Sequence, residues 1–164
     1  MKKIQIGNKF IGKGCPTYII AEAGVNHNGS LKRAKELIIR AAQSGADAIK
    51  FQTYTADDLV IKGVPKFWNW EGDKDRQTQY DAYKKIGGFP LENYPELIKT
   101  CQKNNIEFLS TPFSAKSADY LASIGMKAFK VASSDMSCIP FLAHIAKYDI
   151  PIMLSTGAST LNFL

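Results

Sequence analysis

Five short runs of apolar residues along the chain each end in polar or reactive residues. Continuous apolar character over so few residues is typical of a strand that is buried on both faces, as in a parallel sheet covered by helices. In a parallel α/β barrel, the groups that carry out chemistry collect at the carboxyl ends of such strands. The pattern therefore predicts a barrel-type sheet with strands in the segments 18–22, 48–52, 108–111, 128–133 and 152–156.

The segments between these strands have the spacing of amphipathic helices. Ser30 is a good N-cap, apolar residues then recur at helical spacing, and Gly45 supplies a left-handed stop. Further helices are predicted at 97–105, at 117–124 and from Pro140 onward. A helix between two successive strands makes a right-handed crossover, so we expect the strands to be parallel.

Two segments stand apart from this alternation. Residues 4–14 alternate apolar and polar groups around a Gly-Asn pair, which predicts a small β-hairpin. As part of residues 1–16, it would cap the bottom of a barrel. Residues 54–90 lose the regular pattern, and we expect a long loop over the site, because connections of this length are usually functional. The alternative is a solvated insertion whose Trp68 and Trp70 cover the edge of the core.

The length of the chain limits how much of a barrel it can form. With 164 residues it is long enough for one domain with a hydrophobic core. A complete (βα)8 barrel, or TIM barrel, takes roughly 250 residues. We therefore expect residues 1–164 to be the N-terminal part of one TIM-barrel domain, with about five of its eight strands.

The composition excludes several classes of protein. The net charge of +6 comes from 21 Lys and Arg residues against 15 Asp and Glu residues. Because the basic residues are dispersed, nucleic acid binding is disfavoured, although the charge would suit an anionic ligand. The three cysteines have no CxxC spacing, which fits a reducing cytoplasm better than a disulfide framework or a zinc site. No run approaches the ~18 apolar residues of a membrane span, so we expect a soluble cytoplasmic protein.

Side-chain parity gives the most specific chemical prediction. Lys50 and Gln52 lie two residues apart and face the same side of their strand, and Lys130 occupies the equivalent position in the fourth strand. Two inward lysines repel each other unless an anion lies between them, so the spacing favours a doubly charged ligand. Two other interpretations of Lys50 stay open, a Schiff base with a carbonyl substrate and a structural pair with Glu22.

Other residues near the strand ends are weaker candidates. Glu22 ends an apolar run, where a carboxylate must be paired or hydrated, so it is either a catalytic group or half of a structural ion pair. Asp135 is either a second acid or base or a helix cap, and His27 is either a donor to a substrate or a structural histidine. No cluster of histidines and acidic residues has the spacing of a metal site. Hydroxyls that suit a phosphate, or simply cap helices, belong to Thr111, Ser133 and Ser155.

Five motifs occur in order along nearly the whole chain: IAEAGVNHNG at 20–29, GADAIKFQT at 45–53, FLSTPF at 108–113, FKVAS at 129–133 and LSTG at 154–157. In this order they resemble the sialic acid synthase family, which includes N-acetylneuraminate, legionaminate and pseudaminate synthases. Five matching motifs make the resemblance highly specific.

The resemblance implies a TIM barrel that condenses phosphoenolpyruvate with an N-acetylated aminosugar such as N-acetylmannosamine and releases phosphate, in the biosynthesis of surface polysaccharides. On matching positions, Gln52 and Phe113 resemble sugar contacts. Glu22 resembles the carboxylate that orients the sugar and handles protons, and Asp135 stands where family members carry Glu or Asp. The residues that resemble phosphoenolpyruvate contacts are Lys50, Thr111, Lys130, Ser133 and Ser155.

The resemblance also implies parts that lie beyond this sequence. Family members use a divalent metal, Mn²⁺ or Mg²⁺, whose histidine ligands lie on later strands. In their homodimer, a C-terminal antifreeze-like domain reaches into the site of the partner. We therefore expect the chain to form the phosphoenolpyruvate side of the site, without metal ligands, and to be weakly active or inactive alone. Besides a Schiff-base aldolase, the alternative is a truncated, non-catalytic fragment that binds a complementing chain.

Overall fold

The fold is built on seven strands in a computed structural model that describes residues 3–68, 78–87, 89–157 and 159–162. The first two strands form an antiparallel hairpin, and the other five are parallel. Their bounds are β1 (Ile4–Ile6), β2 (Lys9–Ile11), β3 (Ile20–Gly24), β4 (Ala48–Thr53), β5 (Glu107–Pro112), β6 (Phe129–Val131) and β7 (Ile152–Leu154).

The parallel strands pair in two ladders. One has the order β3-β4-β5 and the other joins β6 to β7, while β5 lies beside β6. The register places Glu22 beside Lys50 and Gln52 beside Thr111. The prediction of an α/β fold with five parallel strands after a hairpin is confirmed. Within the described residues these strands do not close into a ring.

Helices follow the strands as the alternation predicted. Ser30 caps the first helix by accepting a hydrogen bond from the backbone N–H of Arg33 at 3.3 Å. After the last residue of this helix, Gly45 adopts the left-handed conformation, with φ +81°, that terminates it. No helix in the described part of the chain is long and apolar enough to cross a membrane. The bounds are α1 (Leu31–Gln43), α2 (Ala56–Leu59), α3 (Gln79–Gly87), α4 (Tyr94–Lys103), α5 (Ala115–Ser123) and α6 (Ile139–Ala146).

The two faces of the sheet pack against different partners. On one face, alternate strand residues such as Ile49, Phe51 and Phe129 are buried against the helices. On the other face, Ala48 and Leu109 pack with Ile6 of the hairpin near the amino ends of the strands. Lys50 and Lys130 each lie two residues after an alanine of this second face, Ala48 and Ala128, and side chains two residues apart on a strand point to the same side. The structure therefore places both lysines on the face that carries the hairpin, which we call the inner face.

The connection between β4 and α4 contains two helices that the sequence pattern did not predict. Helix α2 begins with a capping box, in which the side chains of Thr55 and Asp58 each bond to the backbone N–H of the other residue. Helix α3 packs against α2 farther along the connection. The predicted role of Trp70, and the charged stretch 71–76, lie outside the described residues.

Candidate functional site

Lys50 is the centre of the polar groups on the inner face. Its side chain is buried, with the residue 9% exposed, and its ammonium group forms a salt bridge with Glu22. Lys50 Nζ also donates to Thr111 Oγ1 at 3.4 Å. The carboxylate of Glu22 lies in a more open position, with its side chain 53% exposed. Three of the predicted site residues are therefore brought together by the ends of β3, β4 and β5.

Lys130 provides a second positive charge near Lys50. Burial lowers the pKa of Lys130, the charge of Lys50 lowers it further, and the charge of Glu22 opposes both effects. The Lys130 ammonium donates to the carbonyl of Val131 at 2.6 Å. The inner face thus has two ammonium groups against one nearby carboxylate, which is the charge balance that favours an anionic ligand.

Hydroxyl groups surround the carboxyl ends of β6 and β7. The Ser155 N–H donates to the carbonyl of Val131 at 3.1 Å, and a Cβ atom at Gly157 would lie 3.6 Å from Ser133 Oγ. Next to them is a cavity of about 510 Å³. It is lined by Ser133, Ser134, Met136, Ser137, Gly157, Ser159 and Thr160. These groups suit the oxygens of a phosphate or carboxylate.

Asp135 ends the 3-10 turn that follows β6, and its Oδ2 atom is buried without a hydrogen-bond partner among the described residues. Burial raises the pKa of Asp135, although a hydrogen bond from Ser134 partly opposes this. A carboxyl group in such a position retains its proton more readily than one in water.

The raised pKa of Asp135 leads to a prediction about stability. At pH values above 3.8, the usual pKa of an aspartate, Asp135 binds a proton more readily in the folded state than in the unfolded state. The free energy of unfolding therefore falls as the pH rises from 3.8 through the raised pKa of the folded state. Chemical denaturation at a series of pH values above 3.8 should show this fall, and Asp135→Asn should make it less steep, while the half-buried Glu107, whose pKa burial also raises, contributes to it in both proteins. The exposed Asp149→Asn is the control, and its curve should run parallel to that of the wild type. Parallel curves for both variants would contradict the prediction.

Gly24 has a role in the site that was not predicted from the sequence. It has φ +51° at an irregularity in the pairing of β3 with β4. A Cβ atom there would lie 3.3 Å from Glu22 Oε1 and 3.8 Å from Gln52 Nε2. The absence of a side chain thus leaves room for these two polar groups. The sequence signal was a glycine two residues after the strand-end carboxylate of Glu22.

Gly29 offers a matched control for this position. It also has a positive φ, +73°, but a Cβ atom there would meet nothing within 4 Å. We expect Gly29→Ala to cost about 1 kcal/mol of stability through backbone strain alone. Gly24→Ala should cost about 0.5–1 kcal/mol more, because Glu22 must also shift. Urea denaturation measures both values, and equal losses would contradict the crowding at Gly24.

A network of three hydroxyl groups lies behind the site and was also missed. Thr53 Oγ1 is 2.8 Å from the hydroxyl oxygen of Tyr94 and 2.7 Å from Ser110 Oγ, and all three residues are buried. Burial raises the pKa of Tyr94 to about 12. The network connects β4, β5 and α4 next to the residues Gln52 and Thr111 that face the site.

His27 does not lie with the inward lysines. The residue is 1% exposed, and its ring packs against those of Phe89 at 4.6 Å and Phe51 at 6.0 Å. Phe51 faces the helices, so His27 lies on the other side of the sheet from Lys50. Its Nδ1 accepts a hydrogen bond from the N–H of Gly29 at 3.0 Å, and burial lowers the pKa of the imidazole. These contacts are those of a structural histidine, and a direct contact with a substrate stays a prediction.

The described residues do not offer a metal ion a set of ligands. They contain no group of three or more His, Cys, Asp or Glu side chains that could hold one. The acidic groups near the site are Glu22, which pairs with Lys50, and Asp135. A divalent metal therefore does not fit this part of the chain on its own.

Known proteins resemble both the sequence and the fold. The model of the NeuB family matches residues 37–163. An N,N'-diacetyllegionaminic acid synthase from Legionella pneumophila is 42% identical over 157 residues, which cover 95% of this chain and 44% of that protein. The spore coat polysaccharide biosynthesis protein SpsE of Bacillus subtilis is 37% identical over 162 residues, covering 99% of this chain and 43% of that protein. The chain thus spans less than half the length of these curated relatives.

A solved structure agrees with the sequence matches. The crystal structure of N-acetylneuraminic acid synthetase from Leptospira borgpetersenii, in complex with citrate, has a TM-score of 0.82 and 32% sequence identity. The match covers 98% of this chain and 52% of that chain. The arrangement of strands and helices around the lysines is therefore shared with a larger synthase.

Proposed function

The chain belongs to the NeuB family of sialic and related nonulosonic acid synthases, and from this premise we propose that it forms the phosphoenolpyruvate-binding part of such an enzyme. The reaction would condense phosphoenolpyruvate with N-acetylmannosamine or a related N-acetylated aminosugar and release phosphate. The products would serve the biosynthesis of surface carbohydrates. A cytoplasmic location and a homodimer of the whole enzyme stay predictions.

The observation that carries this proposal is the charge balance on the inner face. Lys50 is buried and Lys130 is partly buried, and one carboxylate, that of the more exposed Glu22, interacts with both. Phosphoenolpyruvate has a carboxylate and a phosphate, so it is a small ligand with two separate anionic groups. Hydroxyls at the ends of β5, β6 and β7 add donors of the type that phosphate oxygens accept.

In the proposed mechanism, the lysines position the ligand and the carboxyl groups move protons. C3 of phosphoenolpyruvate forms the new bond to the aldehyde carbon, and the aldehyde oxygen takes a proton, for which we assign the carboxyl group of Asp135 as the donor. Water adds at C2 and loses one proton to Glu22. The C2 hydroxyl then gives its remaining proton to the departing phosphate as the C2–O bond breaks and the C2 carbonyl forms. The raised pKa of Asp135 supports the first proton transfer. The side chains of Glu22 and Gln52 both border the space beside Gly24, and this supports a sugar position next to Glu22.

A Schiff-base aldolase is not favoured. The Lys50 amine is engaged by Glu22 and Thr111, whereas an amine that attacks a carbonyl must be free to do so. Borohydride trapping with pyruvate separates the two chemistries, because covalent labelling of Lys50 would support the aldolase.

Calorimetric titration of the folded chain with phosphoenolpyruvate tests the binding function directly. We expect phosphoenolpyruvate to bind at least about ten-fold more tightly than pyruvate, which lacks the phosphate contacts. Equal affinities, or no binding by a chain that is folded by circular dichroism, would overturn the proposal. Phosphate release with N-acetylmannosamine and Mn²⁺ would then be assayed with the chain alone and with the C-terminal part of the Legionella relative, and only the combination should show full activity.

A further inference from the structure

Three buried hydroxyl groups join β4, β5 and the start of α4 on the face of the sheet that packs against the helices. Thr53 is at the centre of this hydroxyl network, since its Oγ1 atom lies within hydrogen-bond distance of Tyr94 and Ser110. The other side chains of β4 and β5 on this face, such as Phe51 and Phe108, are apolar and buried. Replacing both partners of a buried hydrogen bond by apolar groups is often nearly neutral for stability, so filling the core does not require these hydroxyls.

The residues of the hydroxyl network alternate along their strands with residues of the inner face. Gln52 precedes Thr53 in β4, and Thr111 follows Ser110 in β5. Gln52 and Thr111 pair in the register of the two strands, and both point to the inner face. The bond of 2.7 Å between Thr53 and Ser110 therefore crosses from β4 to β5 behind this pair. The network and the site share the same backbone at the carboxyl ends of these strands.

Tyr94 attaches the two strands to helix α4. The residue is 1% exposed, and its ring meets the rings of Phe108 at 5.9 Å and Tyr120 at 5.7 Å. This ring packing holds the Tyr94 hydroxyl in place, 2.8 Å from Thr53 Oγ1. Since a hydrogen bond requires a narrow range of distances and angles, the hydroxyl restricts the position of Thr53 more closely than apolar contacts would.

The contact between Lys50 and Thr111 depends on how β4 and β5 lie against each other. Lys50 Nζ is 3.4 Å from Thr111 Oγ1, which is near the upper limit for a hydrogen bond. The backbone ladder ends close by, where the N–H of Phe113, one residue past β5, donates to the carbonyl of Thr53 at 3.2 Å. The hydroxyl network therefore joins the two strands where their pairing would otherwise fray first.

We propose that Tyr94 is a positioning residue for the anion site and acts through Thr53 and Ser110. By holding β4 against β5, the hydroxyl network keeps Lys50 and Thr111 at the separation that bound phosphoenolpyruvate requires. This inference rests on the function proposed above and concerns side chains that do not contact the ligand. A small displacement of β5 would separate Lys50 from Thr111, and displaced groups hold a ligand less well.

Calorimetric titration of the intact chain with phosphoenolpyruvate tests this proposal. Tyr94→Phe removes a hydroxyl and keeps the ring, and Thr53→Val removes the central hydroxyl and keeps the shape of the side chain. Each should weaken binding by about three- to ten-fold, the range expected for the loss of one buried hydrogen bond. Thr53→Ser keeps the hydroxyl and loses a methyl group instead, so it should bind phosphoenolpyruvate as tightly as the wild type does.

Tyr120→Phe is the matched control. The ring of Tyr120 also packs against Tyr94, but its hydroxyl donates to the carbonyl of Leu91 at 2.6 Å, outside the two strands. This substitution should leave phosphoenolpyruvate binding unchanged. Urea denaturation of all four variants shows whether they are folded and measures what each loses in stability. If the network only stabilised the fold, every folded variant would bind with the affinity of the wild type.

Unchanged affinity in folded Tyr94→Phe and Thr53→Val would therefore overturn the positioning role and leave the proposed function intact. Equal weakening by Thr53→Ser and Thr53→Val would also overturn it, because the loss would then not depend on the hydroxyl. Absence of phosphoenolpyruvate binding by the folded wild type would instead overturn the proposed function, and the inference with it.

Discussion

Replacing Lys50 with methionine is expected to weaken phosphoenolpyruvate binding by about a hundred-fold. Methionine keeps most of the length and apolar volume of the side chain but removes its charge and its donors. The ligand then loses a charge-assisted contact in a buried position and meets Glu22 without the lysine that neutralises it. Calorimetric titration measures the change in affinity, and the free energy of unfolding reports whether the fold persists.

Lys35→Met is the matched control for this substitution. Lys35 also forms a salt bridge with a glutamate, Glu96, but on the outer surface between α1 and α4. It should leave phosphoenolpyruvate binding unchanged and cost less than about 1 kcal/mol of stability. If Lys50→Met bound the ligand as tightly as the wild type, the inner face would not be the anion site.

Replacing Ile38 with alanine is expected to lower the free energy of unfolding by about 2–5 kcal/mol. Ile38 is fully buried, at 0% exposure, where α1 packs on the sheet. Its truncation removes apolar surface from the core and leaves a cavity that the surrounding side chains cannot fill completely. Urea denaturation, with the slope checked for two-state behaviour, measures the loss.

Ile61→Ala makes the same chemical change at a site that is 79% exposed. It should alter stability by no more than about 0.5 kcal/mol. Similar losses for the two variants would show that α1 is not anchored in the core as its packing indicates.

The part of the site that could be predicted from the sequence depends on local periodicity. The two-residue repeat of a strand places Lys50 and Lys130 on the inner face without any knowledge of the other strands. The caps of α1 are equally local, because Ser30 and Gly45 act on backbone groups within a few residues. These features could be predicted because each depends only on the order of residues within one strand or helix.

Features that depend on distant contacts or on brief signals could not be predicted. Thr53 is 41 residues from Tyr94 and 57 from Ser110, and nothing in the local pattern joins them. Helix α2 has four residues, too few for a helical repeat to show, although its capping pair Thr55 and Asp58 was readable. His27 lies in a polar loop by sequence, yet the fold buries its ring between Phe51 and Phe89.

Because Glu22 forms a salt bridge with Lys50, the anionic ligand proposed above would replace Glu22 as the partner of the Lys50 ammonium. Glu22 gives the Lys50 ammonium a negative neighbour in the absence of ligand, and in the proposed function the carboxylate of the ligand would take its place. Lys50 is thereby held in position beside Lys130 despite their mutual repulsion. The free-energy cost of placing Lys50 beside Lys130 is therefore part of folding, and ligand binding does not have to include it, because the two lysines are already in position. In the proposed reaction, the displaced Glu22 carboxylate would then be free to accept a proton from water.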